Sequence, residues 1–406
     1  MSKIEEMIKR LCPNGVERVP VWRYTAWDKK FNAVDKSMQK SINKYKYLLA
    51  KDLEEIKDNS GDIRILYTTE EIAYTTEEKA GDYISEGEVI AIPWGGTPSV
   101  KYYKGRFITG DNRIATSIDA EKLSNKYLYY VLLDNMKTIS KFYRGAGIKH
   151  PSMYSILTLE IPLPPLSIQR EIVSVLDSFT TLIDKMKHEV ELRKKQMEYY
   201  REKLLSFDEE IRKLSFGKDF TLKARIGWQG LTKKEYLPDG EFKLITGTDF
   251  TTNNTIDFDH CVYVSKERYE QDPYIQIRED DVLITKDGTL GKIAYISELP
   301  MPATLNGGVF VVRGKTGEVA QRFLKYYLIS NNFKNWIEQN HTAGSIMHLT
   351  QKLLEKFNIP VPSPSTQEDI VSTLDAFEQY ISKLERLITL REKQYAYYRE
   401  KLLTFE

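Results

Sequence analysis

Cysteine is almost missing. Cys12 and Cys261 stand alone in 406 residues, which excludes a disulfide framework and any cysteine-rich zinc site and suits a reducing compartment. The five histidines, His150, His188, His260, His341 and His348, show no metal-ligand spacing. No window approaches the roughly 18 consecutive apolar residues of a membrane span, and the charged first ten residues contain no signal-peptide core. The expected location is therefore the cytoplasm, with no membrane partner. An excess charge of one sign is lacking too. Lys and Arg (59) nearly cancel Asp and Glu (58), so a nucleic-acid partner has to be met by local charge or inside a larger assembly.

Catalytic signatures are equally scarce. Gly314-Lys315-Thr316 resembles the end of a phosphate-binding loop, but the first glycine of that loop would fall on Val309. Asp239 lies too close to Glu241 and Lys243 to form a nuclease set drawn from separate strands. No nucleophile elbow, dinucleotide fingerprint or adenine-methylation motif occurs. A non-catalytic chain with no cofactor or metal of its own is expected. What remains is an ordinary globular composition, 41% hydrophobic and 29% charged, on a chain long enough for two or three domains.

The dominant positive feature is an internal duplication. Ile-Pro-Leu-Pro-Pro-Leu-Ser-Ile-Gln over 161–169 returns as Ile-Pro-Val-Pro-Ser-Pro-Ser-Thr-Gln over 359–367, an offset of 198 residues that holds without a gap through Phe207 and Phe405. About half of the paired positions are identical, and Tyr-Tyr-Arg-Glu-Lys-Leu-Leu at 199–205 and 397–403 matches letter for letter. Each copy opens on prolines, which fix φ and remove backbone donors, and continues as a heptad. The first seam is Ile172, Leu176, Phe179, Ile183, Met186, Val190, Arg193, Met197, Tyr200, Leu204 and Phe207. The second is Ile370, Leu374, Phe377, Ile381, Leu384, Ile388, Arg391, Tyr395, Tyr398, Leu402 and Phe405. This alternating spacing of four and three predicts coiled-coil helices near 168–207 and 366–405, with roughly 36 residues making a rod of about 52 Å. Chain order makes the pair antiparallel if the two helices pack together, with approximate two-fold symmetry. His188 falls on the solvated side of the first helix.

Two regions of similar length remain, and the expected divisions are 1–160, 161–211, 212–357 and 358–406. Each region carries a strand-like run followed by a Gly-containing turn (Gly95-Gly96; Asp287-Gly288), a helix-like stretch (127–133; 323–329) and a glycine-containing loop (144–150; 341–348). The class is α+β. One shared frame with dissimilar inserts reads as two recognition modules of different specificity. Residues 101–150 hold ten Lys and Arg against four Asp and Glu, interleaved with aromatics, a mixture suited to phosphate and base contact. Lys101, Tyr102, Lys104, Arg106, Arg113, Arg144 and Lys149 are the candidate DNA contacts there, with the loop 31–60 as the alternative face. The second region is balanced, and Lys286, Thr289 and Lys292 are its candidates.

A variable region, a proline lead-in ending in Gln, a long helix, and the same series again: this order resembles the specificity subunit of type I restriction–modification systems, over essentially the whole chain. The second lead-in departs slightly, with Ser363-Pro364 for Pro165-Leu166 and Thr366 for Ile168. The resemblance implies two target-recognition domains separated by a long antiparallel two-helix coiled coil. It also implies that each domain reads half of an asymmetric bipartite site in double-stranded DNA. The implied partners are two modification subunits and the restriction and translocation subunits, which would carry S-adenosylmethionine, Mg and ATP. The residues alone leave open a two-headed adaptor or scaffold built on the same spacer.

Overall fold

The computed structural model describes residues 3–227, 230–286, 290–340 and 349–405. The chain forms two compact units, one of Met1–Lys187 with Leu387–Glu406 and the other of His188–Arg386. The long helices Leu166–Leu204 and Pro364–Thr404 each give one half to each unit, so the compact bodies divide the chain inside the helices and not at their ends.

In the first unit a six-stranded sheet runs in the order Thr25–Trp27, Asn112–Ser117, Ser85–Pro93, Lys101–Thr109, Ile63–Leu66, Ile72–Thr75. Every neighbouring pair is antiparallel except Lys101–Thr109 with Ile63–Leu66. The helix Asn125–Asp134, capped by the Ser124 side chain, contributes the buried Tyr127, Leu128, Tyr130, Val131 and Leu132 to the main core.

The second unit repeats the first four of those strands as Phe220–Lys223, Val309–Gly314, Val282–Thr285 and Ile293–Tyr295, again antiparallel throughout. The helix Gln321–Ile329 takes the place of Asn125–Asp134. What differs is the chain between the first two strands in sequence. In the first unit residues 28–84 extend the sheet by two strands. In the second, residues 224–281 supply Phe242–Ile245 and Val262–Val264 to a separate three-stranded sheet completed by Ala303–Leu305. That sheet has its own core around Ile245, Phe250, Ile275 and Leu305.

In each unit the proline lead-in closes a two-stranded antiparallel ribbon: Arg18–Pro20 with Glu160–Pro162, and Lys213–Ser215 with Asn358–Pro360. The glutamine that follows is a latch. Gln169, fully buried, accepts from Ser124 N at 2.9 Å and donates to Lys122 O at 2.7 Å and Pro164 O at 2.8 Å. Gln367 accepts from Ala320 N at 2.9 Å and donates to Glu318 O at 2.9 Å and Pro362 O at 3.1 Å. One side chain thus ties the N-terminus of the head's helix to the start of the long helix.

The helices begin two residues earlier than the heptad alone suggests. Pro364 is acceptable as the first helical residue because the N–H it lacks would have no intrahelical acceptor there. The first helix ends at Leu204, short of Phe207, which lies beyond the last turn and packs 6.3 Å from the Phe323 ring. Within the first unit, Phe179 stacks on Tyr398 at 5.5 Å and Lys187 pairs with Glu392 at 2.7 Å. As one residue number rises the partner's falls, so the segments are antiparallel. Within the second unit the same holds for Lys194 with Glu385 at 2.8 Å and Tyr200 with Phe377 at 5.7 Å. Ile172, Leu176, Ile183, Val190, Ile370, Leu374, Ile381 and Ile388 are buried, while Met186, Leu204, Leu384 and Leu402 are half-buried. Arg193 reaches over the Tyr380 ring, whereas Arg391 is exposed and bonds Gln394.

Candidate nucleic-acid interface

The strand Ser85–Pro93 ends where Pro93 offers only a carbonyl, which accepts from Tyr143 Oη at 2.9 Å. The turn after it is Trp94-Gly95-Gly96. Gly96 has φ +96°, a region that favours glycine, and its N–H donates to Lys149 O at 3.0 Å. A Cβ on Gly95 would lie 2.9 Å from Ile148 Cγ2, so glycine lets the loop 144–150 rest directly on the turn. That loop is closed by the pairs Tyr143 with Pro151 and Arg144 with His150. His150 Nδ1 lies 2.7 Å from Trp94 O and donates to it, because a carbonyl can only accept. The result is a fixed projection bearing the exposed side chains of Arg144, Ile148, Lys149 and His150.

The Trp94 ring is flanked by cations, Lys29 at 5.2 Å and Arg113 at 4.8 Å. Arg113 overturns the sequence expectation for it. Its side chain is only 2% exposed and is held between Asp28, at 2.7 Å, and Asp111, so it organises the turn and presents nothing to a phosphate. Burial lifts the Asp28 carboxyl above its ordinary value in spite of Arg113 beside it.

The strand candidates are engaged as well. Lys101 Nζ donates to Tyr67 O, and burial brings its ammonium down to about 8. Tyr102 Oη donates to Glu88 at 2.8 Å. Lys104 is exposed but 3.7 Å from Glu88, and Arg106 pairs with Glu77 at 2.7 Å. Lys101 stands next to the turn, whereas Arg106 is five residues along the strand, about 17 Å away. The structure therefore gathers Arg144 and Lys149 at the turn and does not bring Arg106 to them.

A basic loop begins at Lys29, over the Trp94 ring, and continues into the alternative face at 31–60. Lys29, Lys30, Lys36, Lys40, Lys44 and Lys46 are all exposed, and only Asp35 interrupts them. Buried Gln39 shapes this loop by accepting from Phe31 N and donating to Phe31 O and Val34 O. The signal was present in the sequence as lysines interleaved with Tyr45 and Tyr47.

In the second unit the corresponding strand runs into Lys286, whose N–H donates to Gly308 O at 2.8 Å and whose carbonyl accepts from Leu349 N at 3.1 Å. Its ammonium lies 5.6 Å over Phe310, in a cleft of roughly 340 Å³ also lined by Arg225, Gly227 and Thr350. Arg225 is buried and bonded to Leu305 O and Gln271. Lys292 is exposed. Thr289, the Asp287-Gly288 turn and the loop 341–348 lie outside the described residues. Among the described residues no helix is long and apolar enough to cross a membrane.

The family model described as the type I restriction modification DNA specificity domain matches residues 32–192 and 229–392. The specificity subunit of the Escherichia coli type I restriction enzyme EcoR124I/EcoR124II is 30% identical over 313 residues, covering 72% of this chain and 74% of the relative. A putative type I specificity subunit of Haemophilus influenzae is 28% identical over 341 residues, covering 80% and 84%. The crystal structure of a type I restriction–modification S subunit from M. genitalium shares the fold, with a TM-score of 0.61 at 17% identity over 96% of this chain and 97% of that one.

Proposed function

The chain belongs to the type I restriction modification DNA specificity family, and we propose that it reads an asymmetric, bipartite site in double-stranded DNA, one unit per half-site. The observation that carries this is the double family match, once over each unit, where one four-stranded frame bears two different inserts. The same frame would bring each insert to DNA in the same way, and the inserts, with the loops beside them, would read different bases. The duplicated helix pairs, seam inward and charged outside, give two equivalent docking places for one kind of partner. Those partners are two modification subunits, joined by restriction and translocation subunits. S-adenosylmethionine, Mg and ATP belong to those partners, and this chain contributes recognition without catalysis, in the cytoplasm.

The test is methylation mapping of the chain co-expressed with the modification subunits of its own system. A two-part motif with an unread stretch is expected, and replacing residues 1–160 with those of a relative should change one half only. A continuous motif, or an exchange that alters both halves, overturns the reading. Purified alone, the chain should transfer no labelled methyl group to DNA, and robust incorporation would refute the non-catalytic assignment.

A further inference from the structure

We propose that Ile148 is the apolar base contact of the first unit and reads the C5-methyl group of a thymine in the major groove; this rests on the DNA-specificity reading above. Ile148 is 70% exposed. A single exposed aliphatic residue is ordinary on a protein surface; what sets this one apart is how it is held and what surrounds it. Its Cγ2 sits against the Gly95 backbone, in space that a Cβ would fill. The residue after it is tied to Gly96, and His150 is tied to Trp94. Behind it, Gly145 has φ +143° and a Cβ there would lie 2.7 Å from Ile148 O. A β-branched side chain has little χ1 freedom, so with Cγ2 seated on Gly95 the Cγ1 branch leaves the loop in one direction.

The surroundings are cationic. Arg144 and Lys149, on the loop itself, are exposed and have no ion pair among the described residues; Lys29 is exposed over the Trp94 ring, while Arg113, with its acidic partners, is buried behind Trp94. Exposed cations on the same loop and beside the adjoining turn match a polyanion whose interior edge carries methyl groups. In B-DNA that edge is thymine in the major groove, which is wide enough for a two-stranded ribbon. The cations would hold phosphates and fix the register, and Ile148 would supply the sequence-dependent term.

The test uses the complete enzyme and DNA in which each thymine of the mapped motif is replaced in turn by uracil, which lacks only the methyl group. Wild type is expected to lose affinity about three- to tenfold at one position, in the half-site read by the first unit. Ile148→Ala should bind thymine and uracil equally at that position, with an unchanged salt slope. Ile148→Val, which loses only Cδ1 and keeps the Cγ1 branch, should retain part of the discrimination, between wild type and Ile148→Ala. Lys149→Ala should do the reverse of Ile148→Ala, flattening the salt dependence while preserving the thymine-to-uracil ratio. A first half-site without an A·T pair, wild type indifferent to every uracil in it, or Ile148→Ala with full discrimination would each overturn the proposal. Failure of the wider reading looks different, because the wild-type enzyme would then show no sequence preference at all.

Discussion

Gln169 has one acceptor and two donors, and all three are used while its side chain is out of water. Leucine in its place would strip the partner from the buried Pro164 carbonyl and from the half-buried Ser124 N–H and Lys122 carbonyl. Gln169→Leu should cost about 2–4 kcal/mol, read by chemical denaturation of the full chain. Gln169→Glu should cost more, since it turns a carboxylate toward two carbonyl oxygens. Lys101 makes a different residue-scale case. Its folded ammonium titrates near 8 because it is half-buried, whereas an unfolded lysine titrates near 10.4. Below pH 8 both states hold the proton and the group adds no slope. Between about pH 8 and 10 the unfolded chain binds more protons, so this group makes stability rise with pH. Lys101→Met should lack that rise, so that its stability relative to wild type falls across the window. DNA affinity of the assembled enzyme should change little, because the lysine already donates to Tyr67 O.

Between each head helix and its long helix the two units use parallel but unequal contacts. Tyr130 donates to Asp177 and Tyr326 to Asp375, both at 2.6 Å. Beside them the first unit has Tyr129 and Thr180, whereas the second has Lys325, buried, bonded to both oxygens of Glu378. In a duplicated chain such a difference favours each head on its own helix, since a mismatched pairing strands a buried charge. Glu378→Thr should cost about 2–4 kcal/mol, discounted for the partial exposure of Glu378 and the nearby Asp375. The double variant Lys325→Tyr with Glu378→Thr, which copies the first unit, should recover most of that loss in a double-mutant cycle. The elements themselves were legible in the sequence wherever they rest on local periodicity. The heptads, the proline lead-ins and the head helices at 127–133 and 323–329 all depend on spacing within a few turns. The interface was less so. Arg113 looks like a DNA contact until Asp28, 85 residues away, folds beside it, and the strand order that brings loop 144–150 onto Gly95 is a long-range pairing that no local pattern encodes. Lys286 and Lys292 likewise gain their setting only from Gly308 and Thr285.

At the scale of the whole molecule, function depends on two readers that share one continuous pair of helices, each of which passes from one compact unit to the other near 187–188 and 386–387. Those junctions are where length can change without touching either head or its latch. Seven residues inserted at both junctions would preserve the seam in each unit, because a heptad returns every side chain to the same face. Each helix would lengthen by about 10 Å, equivalent to at most about three base pairs along DNA. Under the proposed function the expected methylated motif keeps both half-sites letter for letter and gains unread positions between them. Insertion in only one helix shifts the register of Phe179 with Tyr398 or of Tyr200 with Phe377 and should lower stability instead. A doubly lengthened, folded enzyme that methylates the original motif unchanged would show that helix length does not set the spacing, and that the distance between half-sites is fixed by the heads or by the modification subunits.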